Sequence, residues 1–197
     1  YKDFYIALGY KSEVICNYFN CKLNESTSYL IGDKTVNISL FDTGKNTMTG
    51  GRLKRLEKVI GNKTFMLTYG DGLADINIHN LEKFHKQQNS LVTVTAVRPP
   101  ARFGALKIEG NKVINFEEKN PLSEGWINGG FFVIEPDFFK SIYDDNSILE
   151  RTPLESIAEK GQLTAYKHQG FWQCMDTKRD RDHLESLWFK GMAPWKR

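Results

Sequence analysis

Phe65-Met66-Leu67-Thr68-Tyr69-Gly70-Asp71-Gly72 decides how this chain folds. Apolar and β-prone residues run straight into Gly-Asp-Gly. That order predicts a buried strand ending in a tight turn, with one carboxylate at the strand's carboxyl end. Open α/β sheets bind their ligands at that end. Glycines on both sides leave room for a metal ion and a phosphate to reach the carboxylate. A plainer role is also open to Asp71, that of satisfying N–H groups of the turn.

Outward from this stretch, strands and helices alternate. Residues 4–8, 36–41, 64–69, 91–97, 129–134 and 163–167 read as strands, and 104–108 with 112–118 as a hairpin. Residues 11–19 read as a helix whose apolar face is Val14, Ile15, Tyr18 and Phe19. Further helices are expected over 52–60, 78–88 and 177–190. Two more open on Pro136 and Pro153, since proline suits a first helical turn. Residues 20–35 read as polar and irregular. The pattern predicts an α/β three-layer sandwich around a mixed, mostly parallel central sheet. With no repeat and no linker, residues 1–197 read as one domain.

Composition narrows the function. A chain of 197 residues can bury a substantial core. A net charge of +3 helps to attract phosphorylated small molecules but is no nucleic-acid signature. No apolar run is long enough for a transmembrane helix, and no signal peptide opens the chain, so a cytoplasmic protein is expected. Cys16, Cys21 and Cys174 lack zinc spacing and fit a reducing compartment. His79, His85, His168 and His183 form no paired motif and read as structural or surface residues.

Five segments carry candidate chemistry. In residues 43–51, Gly50-Gly51 would offer backbone N–H groups at a helix amino end, and Arg52 a guanidinium for phosphate oxygens. The alternative is a capped helix with a solvated basic face. Gly70-Asp71-Gly72 is the second. In the third, Arg102-Phe103-Gly104, a glycine lets backbone approach a ligand, or marks a bulge. The fourth is Phe116-Glu117-Glu118-Lys119-Asn120-Pro121, followed by Trp126-Ile127-Asn128-Gly129-Gly130. Glu118 and Lys119 suit sugar hydroxyls and a phosphate, or form an exposed salt pair. Asn128 offers an amide, or sits in a turn. The fifth runs from Gly170 to Thr177: Trp172 can stack on a sugar ring, and Asp176 either meets a metal or caps the next helix. Asp71 and Asp176 together would suit Mg²⁺, which commonly takes one or two carboxylates plus substrate phosphates.

The order and content of these segments resemble the sugar-1-phosphate nucleotidyltransferases, most closely the glucose-1-phosphate cytidylyltransferase branch. The motifs are D-T-G-K-N-T-M-T-G-G-R-L-K-R (42–55), L-T-Y-G-D-G-L-A-D (67–75), R-F-G-A-L (102–106), F-E-E-K-N-P (116–121), I-N-G-G-F-F-V (127–133), G-F-W-Q-C-M-D-T (170–177) and G-M-A-P-W-K (191–196). M-T-G-G-R-L-K-R and F-W-Q-x-M-D-T mark the cytidylyltransferase branch.

The resemblance implies a nucleotide-diphospho-sugar transferase fold, Rossmann-like, and a Mg²⁺-dependent reaction of CTP with α-D-glucose 1-phosphate to give CDP-glucose and pyrophosphate. It implies that Asp71 and Asp176 hold the metal and that Thr47, Arg52 and the backbone at Gly70 meet the nucleotide. Gly104, Glu118, Lys119, Asn128 and Trp172 would shape the sugar-phosphate side, with Lys119 catalytic. It also implies a bacterial cytoplasmic enzyme, a homo-oligomer, whose product feeds 3,6-dideoxyhexose synthesis for surface polysaccharide. The family's opening strand and G-G-x-G-T-R-L loop have no counterpart here. The resemblance therefore implies an amino-terminally incomplete domain, nearly inactive by itself, whose first strand lacks a neighbour. Two other functions stay open: a thymidylyl- or uridylyltransferase of the same fold, and a non-catalytic sugar-phosphate-binding fragment.

Overall fold

The computed structural model describes residues 1–99, 105–117 and 125–196. In chain order the elements begin β1 (Asp3–Leu8), α1 (Ser12–Tyr18), β2 (Ser26–Ile31), β3 (Lys34–Asp42), α2 (Thr49–Arg55), α3 (Glu57–Ile60), β4 (Phe65–Thr68) and β5 (Gly72–Ala74). They continue with α4 (Ile78–Gln88), β6 (Val92–Val97), β7 (Ala105–Glu109), β8 (Lys112–Glu117), β9 (Ile127–Ile134) and a 3₁₀ helix (Pro136–Ser141). The last are α5 (Thr152–Glu159), β10 (Leu163–Lys167), β11 (Trp172–Cys174) and α6 (Lys178–Phe189). They form two compact units: Tyr1–Lys63 with Pro136–Lys160, and Thr64–Glu135 with Gly161–Arg197.

The first unit is built on a three-stranded sheet in the order β1-β3-β2. β1 runs parallel to β3, and β2 runs antiparallel to it. β2 corrects the expectation that residues 20–35 are irregular. Ile31 pairs with Lys34 across Gly32-Asp33, with Gly32 at φ 62. A two-residue hairpin turn demands that left-handed geometry, and glycine supplies it without a Cβ clash. Leu8, Cys21, Ile38 and Leu40 form the core, against which Ile15 and Phe19 of the α1 segment pack. Val14 and Tyr18, expected on the same apolar face, are exposed. Burial pushes the Cys21 thiol pKa up, helped by the nearby Glu25 and Cys16.

The helix expected over 52–60 is two helices, and α2 starts earlier than expected, taking Gly50 and Gly51 into its first turn. The backbone of residues 145–147 passes directly over them. A Cβ on Gly51 would lie 2.5 Å from the Asp145 carbonyl oxygen, and one on Gly50 2.7 Å from that of Ser147. Arg55 grips the Asp145 carboxylate with two hydrogen bonds, Nε to Oδ1 at 2.9 Å and Nη2 to Oδ2 at 2.6 Å. Those hydrogen bonds hold the Asp145 carboxyl below the usual carboxylate range. A carboxylate depressed in the folded state adds stability above its unfolded pKa, and that stability is lost as pH falls through the folded value. Acid unfolding of this unit below about pH 4 is therefore expected to lose part of its pH dependence in Asp145→Asn, as read by a circular-dichroism titration.

The second unit is built on a four-stranded sheet in the order β10-β6-β9-β4. β10 is parallel to β6, while β9 is antiparallel to both β6 and β4. Three strands thus run one way and β9 runs against them. The expected mix of strand directions is present, but in separate sheets and not mostly parallel: among the described residues β1–β3 and β10–β6 pair in parallel, the other pairings are antiparallel, and β5–β11 and β7–β8 are two-stranded ribbons. Phe132, Val133 and Ile134 of β9 are almost fully buried. α4 packs on this face through Leu81, which clusters with Ile76 and Val133. Asn77 caps α4 by accepting from the Asn80 N–H at 3.0 Å. His85, on the same helix, is buried and structural: its ring nitrogens bond Thr93 Oγ1 at 2.8 Å and Glu135 Oε1 at 3.0 Å. Pro136 opens a 3₁₀ helix in the first unit rather than the expected α-helix, and it buries Phe138 and Phe139 there.

Candidate active site

β4 carries the chain to Gly70-Asp71, and β5 leaves from Gly72 to pair with β11. The register sets Cys174 opposite Gly72, and the Met175 N–H donates to the Asp71 carbonyl at 2.8 Å. Asp71 and Asp176, far apart in sequence, therefore sit at neighbouring positions at one end of this ribbon. Both are exposed. Among the described residues, neither carboxylate has a hydrogen bond or an ion pair.

The plainer roles for these two residues are filled by others. The N-cap of α6 is Thr177, not Asp176. Thr177 Oγ1 accepts from the Asp180 N–H at 3.2 Å, and Asp180 Oδ2 accepts from the Thr177 N–H at 3.1 Å. This reciprocal capping box satisfies the helix start without Asp176. Asp71 likewise takes no turn N–H on its side chain. A Cβ at Gly70 would meet nothing within 4 Å, so packing does not require glycine there. Gly70→Ala is expected to leave stability within about 0.5 kcal/mol, as for a surface site. Any loss it causes in nucleotide binding then reports contact with ligand, measurable as a change in KM at constant urea midpoint.

Asn128 and Trp172 are anchored nearby in the same unit. Trp172 Nε1 donates to the Gly129 carbonyl at 2.8 Å. Asn128 Oδ1 accepts from the Gly130 N–H at 2.8 Å, and its Nδ2 donates to Tyr69 Oη at 3.2 Å. The Gly129-Gly130 pair is not a simple turn but a bulge in β9. Pairing with β6 jumps from Val94↔Phe132 to Ala96↔Asn128. Gly130 adopts φ 78, and a Cβ on it would lie 2.7 Å from the Tyr69 ring. Bulges of this kind re-aim side chains beside functional sites.

Thr47 and Arg52 lie in the first unit. Thr47 is buried. Arg52 Nη1 donates to the Leu8 carbonyl at 3.0 Å and to Thr43 Oγ1 at 2.8 Å, which ties together the carboxyl ends of β1 and β3. The anion site expected at Gly50-Gly51 is not available. Ser147 O accepts from the Gly50 N–H at 2.9 Å and from the Gly51 N–H at 3.2 Å, and Asp145 O accepts from the Met48 N–H at 2.8 Å. Helix-start donors already bonded to backbone carbonyls cannot cradle a phosphate. Gly104, Glu118 and Lys119 lie outside the described residues.

Three supporting residues carried no signal strong enough to single them out. Thr43 is 1% exposed and donates to the Leu8 carbonyl at 2.8 Å. Buried Gln173 bonds Asp180 Oδ1 at 3.2 Å, fixing the start of α6 behind Asp176. His168 Nε2 lies 2.9 Å from Asp75 Oδ1 and 3.2 Å from the Phe171 carbonyl, which fixes the turn into β11. Asp75 stood inside a recognised motif, but only the fold pairs it with His168.

Among the described residues, no three His, Cys, Asp or Glu side chains gather as a ready-made metal cage. The donor set at the ribbon end is two carboxylates without competing partners. That set suits a hard cation that keeps most of its shell for water and phosphate, as Mg²⁺ does, and not zinc.

The nucleotidyl transferase family model matches residues 7–179. The chain is 45% identical to the glucose-1-phosphate cytidylyltransferase of Salmonella typhi over 99% of its own length and 81% of the relative's. It is 37% identical to the probable glucose-1-phosphate cytidylyltransferase of Bacillus subtilis, over 98% and 81%. Among solved structures, HddC from Yersinia pseudotuberculosis superposes with a TM-score of 0.68 at 16% identity, covering 95% of this chain and 79% of that one. An apo UDP-glucose pyrophosphorylase gives 0.65 at 15% identity, covering 96% and 82%. These two support the fold. No helix among the described residues is long and apolar enough to cross a membrane.

Proposed function

Because this chain belongs to the nucleotidyl transferase family, we propose that it joins CTP to α-D-glucose 1-phosphate, giving CDP-glucose and pyrophosphate. The observation that carries the site is the pair Asp71 and Asp176, neighbours at one ribbon end with both carboxylates uncommitted. Its similarity to the Salmonella and Bacillus cytidylyltransferases supports the choice of base and sugar.

The reaction needs no covalent enzyme intermediate. A phosphate oxygen of the sugar phosphate attacks the α-phosphorus of CTP in line, and pyrophosphate leaves. The protein's task is then positioning and charge neutralisation. Asp71 and Asp176 would hold Mg²⁺, which when bound neutralises charge on the phosphates. Trp172, pinned through its indole N–H, offers a ring face to the sugar. Asn128 is held by bonds at both ends of its amide, and its second Nδ2 hydrogen serves a hydroxyl. Gly70 lets the nucleotide approach the backbone. Thr47 and Arg52 serve the nucleotide, Arg52 by bracing the 43–47 loop. Gly104, Glu118 and Lys119 would serve the sugar-phosphate side, with Lys119 catalytic. Both substrates are cytoplasmic metabolites, and the product suits deoxyhexose synthesis for surface polysaccharide.

The test is a nucleotide panel. With glucose 1-phosphate and Mg²⁺, CTP should give CDP-glucose well ahead of dTTP or UTP. Equal or better use of dTTP or UTP would move the assignment to those transferases. No product with any nucleotide, alongside retained sugar-phosphate binding, would favour the non-catalytic fragment.

We also propose self-association. β1 is an edge strand with exposed Phe4 and Tyr5, and the β7–β8 hairpin leaves Leu106, Ile108, Val113 and Phe116 exposed. Open edges and apolar faces of this kind pair with other chains. Sedimentation that finds only monomer at micromolar concentration would contradict it.

A further inference from the structure

The proposed reaction leaves one charged cluster unused. Arg98 follows β6, Trp126 precedes β9 and Lys167 ends β10. The sheet register draws them together: Ala96 pairs with Lys167 on one side and with Asn128 on the other, and Val97 pairs with Ile127. The Arg98 guanidinium carbon lies 4.7 Å from the Trp126 ring centroid, and the Lys167 ammonium lies 5.5 Å from the same centroid. Among the described residues neither cation has a carboxylate partner. Among the described residues, Arg98 Nε is shut off from solvent with no hydrogen-bond partner. Asp75 lies 2.9 Å from Nε2 of His168, the residue after Lys167.

One indole can stabilise a cation, but two cations on one ring repel each other. The arrangement gains most when an anion lies between them. A guanidinium fork beside a compact ammonium matches a phosphoryl group, the first by paired N–H donors and the second as a point charge. The cluster also stands at the carboxyl ends of the parallel strands β6 and β10, where such sheets bind ligands. We infer that Arg98, Lys167 and Trp126 form a phosphoryl-anion site one strand over from Asn128. The phosphoryl group belongs either to glucose 1-phosphate or to free pyrophosphate. The inference stands on this cluster alone and does not require the cytidylyl transfer.

The test is calorimetric titration of the full chain in EDTA, with pyrophosphate in one arm and glucose 1-phosphate in the other. The Arg98→Gln/Lys167→Gln variant should bind at least one probe about tenfold more weakly, and Arg98→Lys should keep much of the affinity. The Trp126→Phe variant should lose the fluorescence change that accompanies binding. Weakening in the glucose 1-phosphate arm, with a raised KM for that substrate, assigns the site to the substrate phosphate. Weakening in the pyrophosphate arm alone assigns it to the free anion. Equal binding of both probes by the double variant and the unsubstituted chain overturns the site. Failure of the nucleotide panel alongside intact anion binding would count against the proposed function and leave this site standing.

Discussion

Asp71→Asn should lower kcat by about two to three orders of magnitude relative to the unsubstituted enzyme, the scale of several kcal/mol of lost metal-borne stabilisation. The amide keeps the shape of the side chain and removes its charge. Among the described residues the Asp71 carboxylate has no hydrogen bond or ion pair, so the urea midpoint should not move. Asp176→Asn should have a similar effect for the same reason. The double variant should be little worse than either single one, because groups that act as one unit are not additive. Initial rates at saturating substrate, paired with urea unfolding, check both halves. Near-normal turnover at limiting Mg²⁺ would remove Asp71 from the metal site.

The second large effect falls on stability. Phe132 is 1% exposed, lies in β9 between β6 and β4, and meets the Tyr69 ring edge-on at 5.8 Å. Phe132→Ala should cost about 3–5 kcal/mol, the transfer term plus the cavity it leaves. Tyr69 immediately precedes Gly70-Asp71, so residual activity should also show a weaker hold on metal. Chemical denaturation measures the first effect, and the Mg²⁺ concentration for half-maximal rate measures the second.

Much of this was legible before any coordinates. The strand leading toward Gly70-Asp71-Gly72 is β4, where the apolar run placed it, but its residues are half-buried and Thr68 is exposed, so the expected full burial is not met. The helix expected over 78–88 is α4, with its Asn77 cap and last turn both written locally. The strand over 163–167 is β10. These elements declare themselves through nearest-neighbour signals.

What was not legible depended on distant partners. Gly50-Gly51 looked like an anion cradle, and only the 145–147 segment shows why those glycines lack side chains. Asp176 read either as a metal ligand or as the cap of the next helix, and the cap is one residue later, Thr177, fixed by Asp180. β5 and β11 are three residues each, too short for any period to show, and exist because they pair with each other. β2 was a different kind of miss. Its turn signal, Gly32-Asp33, was present but was overshadowed by the polar serines around it. Arg52 was read as a ligand contact from its type and position. Its bonds to Leu8 and Thr43 give it a bracing role that only tertiary structure reveals.

The central claim is that Asp71 and Asp176 hold one divalent ion together. Manganese is a suitable stand-in, since it takes the same oxygen ligands and its free form is read directly by electron paramagnetic resonance. In the presence of CTP, the unsubstituted chain should bind one Mn²⁺, and Asp71→Asn and Asp176→Asn should each weaken it by about tenfold or more. Retained Mn²⁺ binding in both variants, at the affinity of the unsubstituted chain, would contradict the account.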